Sequence, residues 1–118
     1  MNKIFQTKFN NPATGETGNC FAACLATLLQ ISISEIPDDL YPSQRILDLI
    51  SSKGYTFNSV YDEDDIPKDT FYIACGISPR NRNIKHAVIY QNGKLVHDPH
   101  PDSSGIITEE WYNYLEKL

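Results

Sequence analysis

No stretch of the chain approaches the ~20 consecutive apolar residues that a membrane-spanning helix requires. The longest apolar run, Cys20 to Leu29, is interrupted by Thr27 and has no basic flank, so it reads as neither a membrane anchor nor an export signal. Basic charge is equally scarce. Lys and Arg number 10 against 15 Asp and Glu, a net charge of −5, and the basic residues are scattered apart from the short group Arg80, Arg82 and Lys85. An acidic chain repels phosphate backbones, so neither nucleic acid nor a membrane is an expected partner. Internal repeats, low-complexity tracts and linkers rich in Gly and Ser are also missing, which leaves one domain over residues 1–118. Three cysteines are too few and too odd in number for a disulfide framework. Without an export signal they point to the reducing cytoplasm, where thiols stay free.

What is present divides into short elements. Lys3 to Gln6 reads as a strand, and Pro12, Gly15 and Gly18 break the polar stretch Asn10 to Asn19 that follows. From Asn19 to about Ile31 the residues are strong apolar helix formers, with Cys20, Cys24, Leu28 and Ile31 on one stripe and Phe21, Leu25 and Leu29 beside it. So wide an apolar surface suits a central, nearly buried helix. Ser32 to Pro42 is a connector, and a second helix runs from an N-capping Ser43 to Lys53, ended by Gly54, with Ile46, Leu47, Leu49 and Ile50 inward.

Strands follow at Tyr55–Tyr61 and Phe71–Ile77. The acidic loop between them, Asp62 to Asp65 with Asp69, reads as a solvated turn. After the polar turn Ser78–Asn83, Ile84–Tyr90 and Lys94–Asp98 flank Gln91-Asn92-Gly93 and read as an antiparallel hairpin. Asp98 to Gly105 is irregular. Thr108 to Tyr114 is assigned as a short helix, although Ile106, Ile107, Trp111 and Tyr112 also suit a strand.

Cys20 carries the chemistry. It stands in the first turn of the central helix, where backbone N–H groups lack intrahelical partners and the helix dipole favours a thiolate. Its own N–H points to where an oxyanion would develop. Cys24 and Cys75 read as small packing residues of the core. A nucleophile needs a base, and His86 opens the first hairpin strand while Asp98 ends the second. With a two-residue turn at Asn92-Gly93, Asp98 falls opposite Ala87, on the other face from His86, and only a bulge would reunite them. With a three-residue loop, Gln91-Asn92-Gly93, Asp98 falls directly across from His86, their Cβ atoms ~4.5–5.5 Å apart. The three-residue loop is the expected one. It would place Val88 and Val96 on the His86 face against the Cys20 helix and turn Ala87, Ile89, Leu95 and His97 away.

The run Gly18-Asn19-Cys20-Phe21-Ala22-Ala23-Cys24-Leu25-Ala26-Thr27-Leu28-Leu29, with His86-Ala87-Val88-Ile89 and His97-Asp98-Pro99 far downstream, resembles the papain-like cysteine peptidases. Within them it is most similar to the bacteriocin-processing double-glycine peptidase domains and their small stand-alone bacterial and phage relatives. The resemblance covers most of the chain in order and is specific at Cys, His and Asp. It implies an α+β fold, a central helix bearing the Cys packed on an antiparallel sheet bearing the His and Asp. It also implies Cys20 as nucleophile, His86 as base, Asp98 as orienting residue and Gln6 as the oxyanion-hole glutamine. Gln6 departs from the family pattern: it lies 14 residues before Cys20, with the loop Asn10 to Asn19 between.

These residues imply thiol-dependent hydrolysis of a peptide or related amide bond through an acyl-enzyme, with short or extended peptide substrates rather than large folded proteins. The same triad would serve a deamidase or transamidase, and a non-catalytic papain-like fold that binds a small ligand or blocks a partner is an alternative of another class. No cofactor is called for. His97 and His100, with Asp98 and Asp102, lack the paired ligand spacing of a zinc site, so no metal is expected.

Overall fold

The computed structural model describes residues 1–11, 13–37, 39 and 42–118. Pro12 and positions 38, 40 and 41 of the expected connector lie outside the described residues. Among the described residues, two helices, α1 (Cys20–Leu29) and α2 (Gln44–Ser52), accompany five strands. The strands are β1 (Tyr55–Val60), β2 (Phe71–Ile77), β3 (Lys85–Gln91), β4 (Lys94–His97) and β5 (Glu109–Lys117). They form one antiparallel sheet in the order β1-β5-β2-β3-β4, an α+β architecture.

The lack of a polar face on α1 has a direct structural counterpart. Ala22 to Thr27 are all buried, because the helix packs on β2 and β3 on one side and on α2 on the other. Ala22, Leu25 and Ala26 meet Ile46 and Ile50 of α2, while Cys24 meets Ile73, Cys75, Ala87 and Ile89 of the sheet. Helix α2 is amphipathic, and each fully buried Ile on its inner face contributes about 1.5–3 kcal/mol. Its entry is the expected one: the Ser43 hydroxyl accepts from the Ile46 N–H at 3.3 Å. The opposite face of the sheet carries Tyr72, Ala74, Val88 and Tyr112, packed by Ile66 and Ile106 from the loops.

Three expectations are corrected. Thr108 to Tyr114 does not form a helix; Glu109–Lys117 is a strand inserted between β1 and β2, where alternate aromatic residues fill both faces of the sheet. Lys3 to Gln6 is not a strand, since its backbone bonds go elsewhere. The Ile4 N–H donates to the Thr27 hydroxyl of α1 at 2.9 Å, the Ile4 carbonyl accepts from His97 Nε2 at 2.6 Å, and the Gln6 N–H donates to the Pro99 carbonyl at 3.0 Å. The segment is a strap tying α1 to the end of β4.

The third correction concerns the hairpin. Gln91 pairs with Lys94, so the turn is the two-residue one, with Asn92 and Gly93 both left-handed at φ 51° and 78°. Asn92 holds that turn in place, accepting from the Asp69 N–H at 3.0 Å and donating to the Asp69 carboxylate at 2.8 Å. The register then shifts: Tyr90 faces Leu95 but Ile89 faces His97, leaving Val96 as the extra residue of a bulge. That extra residue reverses the alternation, and Asp98 reaches His86 after all. The faces are also corrected. Ala87, Ile89 and Val96 pack with α1, whereas Val88 lies on the opposite side of the sheet. Strand alternation thus takes His86 off the helix-covered face, and it meets Cys20 at the strand end, opposite Gly76 and beside the bulge between Cys75 and Gly76.

Gly76 is required there. A Cβ at this position would stand 1.8 Å from the Thr108 carbonyl oxygen, a backbone atom that also accepts the Ile77 N–H at 3.1 Å. Gly76→Ala is therefore expected to cost about 3 kcal/mol or more, or to prevent folding, as read by thermal melting; an unchanged melting temperature would show that β2 and β5 do not approach this closely.

Candidate active site

Cys20 is the first residue of α1 and is partly exposed, while Cys24 and Cys75 are buried, all three as free thiols. Burial pushes the Cys24 thiol well up, and it pushes Cys75 up to about 12, so neither is a candidate nucleophile at neutral pH. Asn19 precedes the helix without capping it. Its carboxamide turns outward instead, accepting from the Thr7 and Lys8 N–H groups at 2.9 Å each, while its N–H donates to the Lys8 carbonyl at 3.2 Å. The helix entry thus stays clear of a capping side chain, and the N-terminal strap is fastened beside it.

His86 and Asp98 meet as expected. His86 Nε2 donates to Asp98 Oδ1 at 2.7 Å, both side chains being almost wholly buried. Asp98 also accepts the His100 N–H at 2.9 Å and the Gly105 N–H at 2.8 Å, so each carboxylate oxygen is engaged. With Nε2 committed, Nδ1 is the ring nitrogen left for the thiol. Burial alone would push the His86 imidazolium down, but the Asp98 bond, hydrogen bonding to Cys20 and the charges of both groups outweigh it and raise the pKa to about 9. Burial works the other way on Asp98, and its bonds from His86, His100 and Gly105 outweigh it, holding the carboxyl below its usual range. Cys20 and His86 border a common cavity of about 360 Å³.

Gln6 is brought to the site by the strap. It is 7% exposed and borders a second cavity, of about 250 Å³, with His86 and His100. Its Nε2 donates one hydrogen to the Lys8 carbonyl at 2.9 Å, and its Oε1 is buried with no partner among the described residues. The loop from Asn10 to Asn19 spans the gap by folding back on itself: the Asn11 N–H donates to the Glu16 carbonyl at 2.8 Å and the Gly18 N–H to Asn10 Oδ1 at 2.9 Å.

The two remaining histidines do different work. His97 is buried and fastens the strap through Ile4, whereas His100 leans edge-on towards both Phe9 and His86 and bonds the Asp102 N–H through Nδ1. Among the described residues, no group of three or more His, Cys, Asp or Glu is placed to hold a metal ion. The acidic loop is tied to the sheet through Tyr72, which packs with Val88 and Tyr112. Asp62, Asp64, Asp65 and Asp69 are exposed, but Glu63 turns in to bond the Tyr72 hydroxyl.

Two supporting contacts have no local signature in the sequence. Arg80 Nη1 holds both Asp102 oxygens, at 2.8 and 2.9 Å, and so braces the loop that wraps Asp98. Asn113, at 3% exposure, lines the larger cavity.

No protein-family model, curated protein or solved structure matches the chain. The chemistry is therefore argued from the side chains themselves.

The His86 pair has a pH signature. Protonated His86 is favoured in the folded chain, so its contribution is complete below the unfolded value near ~6.5 and is lost as pH rises through about 9. Asp98 acts at the other end, its contribution being lost as pH falls below the unfolded carboxyl value near ~3.9 and through the lowered folded one. Between about pH 6.5 and 9 the wild type is expected to lose on the order of 2–3 kcal/mol relative to His86→Gln, measured by denaturant melts of both proteins across that range. Parallel pH profiles would contradict the coupling.

Proposed function

We propose that the chain is a papain-like cysteine hydrolase that cleaves a peptide or related amide bond. The observation that carries this reading is the buried 2.7 Å bond between His86 and Asp98 beside an accessible thiol at a helix entry. A helix bearing the Cys, packed on an antiparallel sheet bearing the His, supports the papain-like assignment. Three free cysteines suit a reducing compartment, and we place the enzyme in the cytoplasm.

In this mechanism the proton that Cys20 gives up already rests on His86 Nδ1, and the thiolate adds to the substrate carbonyl carbon. The resulting oxyanion takes hydrogen bonds from the Cys20 N–H and from the second Nε2 hydrogen of Gln6. Protonated His86 gives its proton to the leaving nitrogen as the C–N bond breaks, leaving a thioester on Cys20. Water, deprotonated by His86, then adds to the thioester, and the thiol leaves with the proton returned to it. Asp98 does not exchange protons; it fixes the ring so that Nδ1 faces the sulfur and stabilises the imidazolium.

The test is covalent labelling by peptidyl electrophiles, followed by mass spectrometry, together with hydrolysis of peptidyl amides. Cys20→Ala is expected to abolish both while folding normally. His86→Ala is expected to lower the rate at neutral pH by about 10²–10⁴, and Asp98→Ala by less. Undiminished labelling of Cys20→Ala, or labelling at Cys24 or Cys75 in the wild type, would overturn the assignment.

A further inference from the structure

The cavity that Cys20 and His86 share is lined by more than the triad, and two polar side chains stand among its mainly apolar walls. Helix α1 starts at Cys20, and the cavity beside its entry is lined by residues of the sheet strands β1, β2, β3 and β5. Phe21, Ala87 and Trp111 supply apolar walls. Asn113 of β5, buried, and Ser59 of β1, exposed, also line the cavity and are directly paired across the two strands. Asn113 Nδ2 donates to Ser59 Oγ at 2.6 Å, which leaves the Ser59 hydroxyl hydrogen to be given elsewhere. Among the described residues, Asn113 Oδ1 has only the Cys75 thiol, 4.0 Å away, a weak donor. A nearly buried amide carbonyl thus retains acceptor capacity next to a free hydroxyl donor.

We propose that this cavity selects a substrate residue with an apolar stem and a primary carboxamide end, glutamine being the natural fit. The inference rests on the amide-hydrolase reading given above and names the residue that enzyme prefers beside the cleaved bond. The carboxamide oxygen accepts from Ser59, and its NH₂ donates to Asn113 Oδ1. A glutamate of the same shape would set a carboxylate oxygen against the Asn113 carbonyl, acceptor facing acceptor. A leucine would remove water from both polar groups and return no hydrogen bond, the situation in which a polar site discriminates most strongly. Lys85, which also lines the cavity, is engaged with Glu110.

The probes are acetylated dipeptidyl acyloxymethyl ketones carrying Gln, Glu or Leu at either of the two positions before the electrophile, with the rate of Cys20 alkylation read by intact mass. At one of the two positions Gln is expected to exceed both Glu and Leu by about tenfold or more. Asn113→Leu is expected to reverse the order in favour of Leu. Ser59→Ala, at an exposed strand position, is expected to lower the Gln rate and to raise the Leu rate, because leucine then desolvates no hydroxyl there, and it carries the test if Asn113→Leu does not fold. Equal rates for the three side chains, or a Gln preference that survives both substitutions, would overturn the selectivity while leaving the hydrolase intact. Absence of alkylation by every probe would instead overturn the hydrolase reading and the selectivity with it.

Discussion

A single buried carboxylate organises the candidate site. Asp98 sits where an isolated negative charge would be strongly unfavourable, and it is tolerated because three donors converge on it: the His86 ring and the backbone N–H groups of His100 and Gly105. Those bonds do more than neutralise it. They wrap the irregular segment after β4 around the carboxylate and hold the His86 ring through Nε2, leaving Nδ1 free of Asp98. Removing the carboxylate would leave an imidazole and two amides without their acceptor, so the electrostatics of the site and the fold of the loop depend on the same atoms.

Each neighbouring element serves that convergence. The bulge at Val96 supplies the half-turn of alternation that puts Asp98 on the His86 side. Gly76, across from His86, lets β2 and β5 close beside the strand end where His86 meets Cys20. The N-terminal strap, fastened through His97, Thr27 and Asn19, clamps α1 to the sheet and carries Gln6 into the seam. Asn19 spends its carboxamide on the strap and not on the helix, so the first turn of α1 retains donors facing the thiol.

Much of this is written locally in the sequence. The unbroken apolar run from Cys20 identifies a buried helix, Ser43 marks the start of α2, and Asn92-Gly93 fixes a hairpin, because each depends on a few adjacent residues. Cys20, His86 and Asp98 were legible as candidates from their residue types and from the places of the His and Asp at the two ends of the hairpin, although the three-residue loop expected to pair them does not form. The route by which Asp98 reaches His86 was not legible. Turn chemistry favours the two-residue loop, whose left-handed pair is held by Asp69 and Tyr72 from a distant segment, and the compensating bulge has no residue signature of its own. Glu109–Lys117 is a strand for a similar reason: its Trp and Tyr residues suit either state in isolation, and the gap between β1 and β2 decides. The Arg80–Asp102 brace and the Ser59–Asn113 pair join residues far apart in the chain, so nothing in their local sequence marks them.

The coupling of thiol, imidazole and carboxylate is tested most directly by following the ring nitrogens of His86 by NMR as pH is raised. The account predicts that the ring keeps its second proton through neutrality and loses it near about 9, and that Asp98→Asn lowers that midpoint. A His86 ring that titrates near the ordinary ~6.5 and ignores the Asp98 substitution would contradict it.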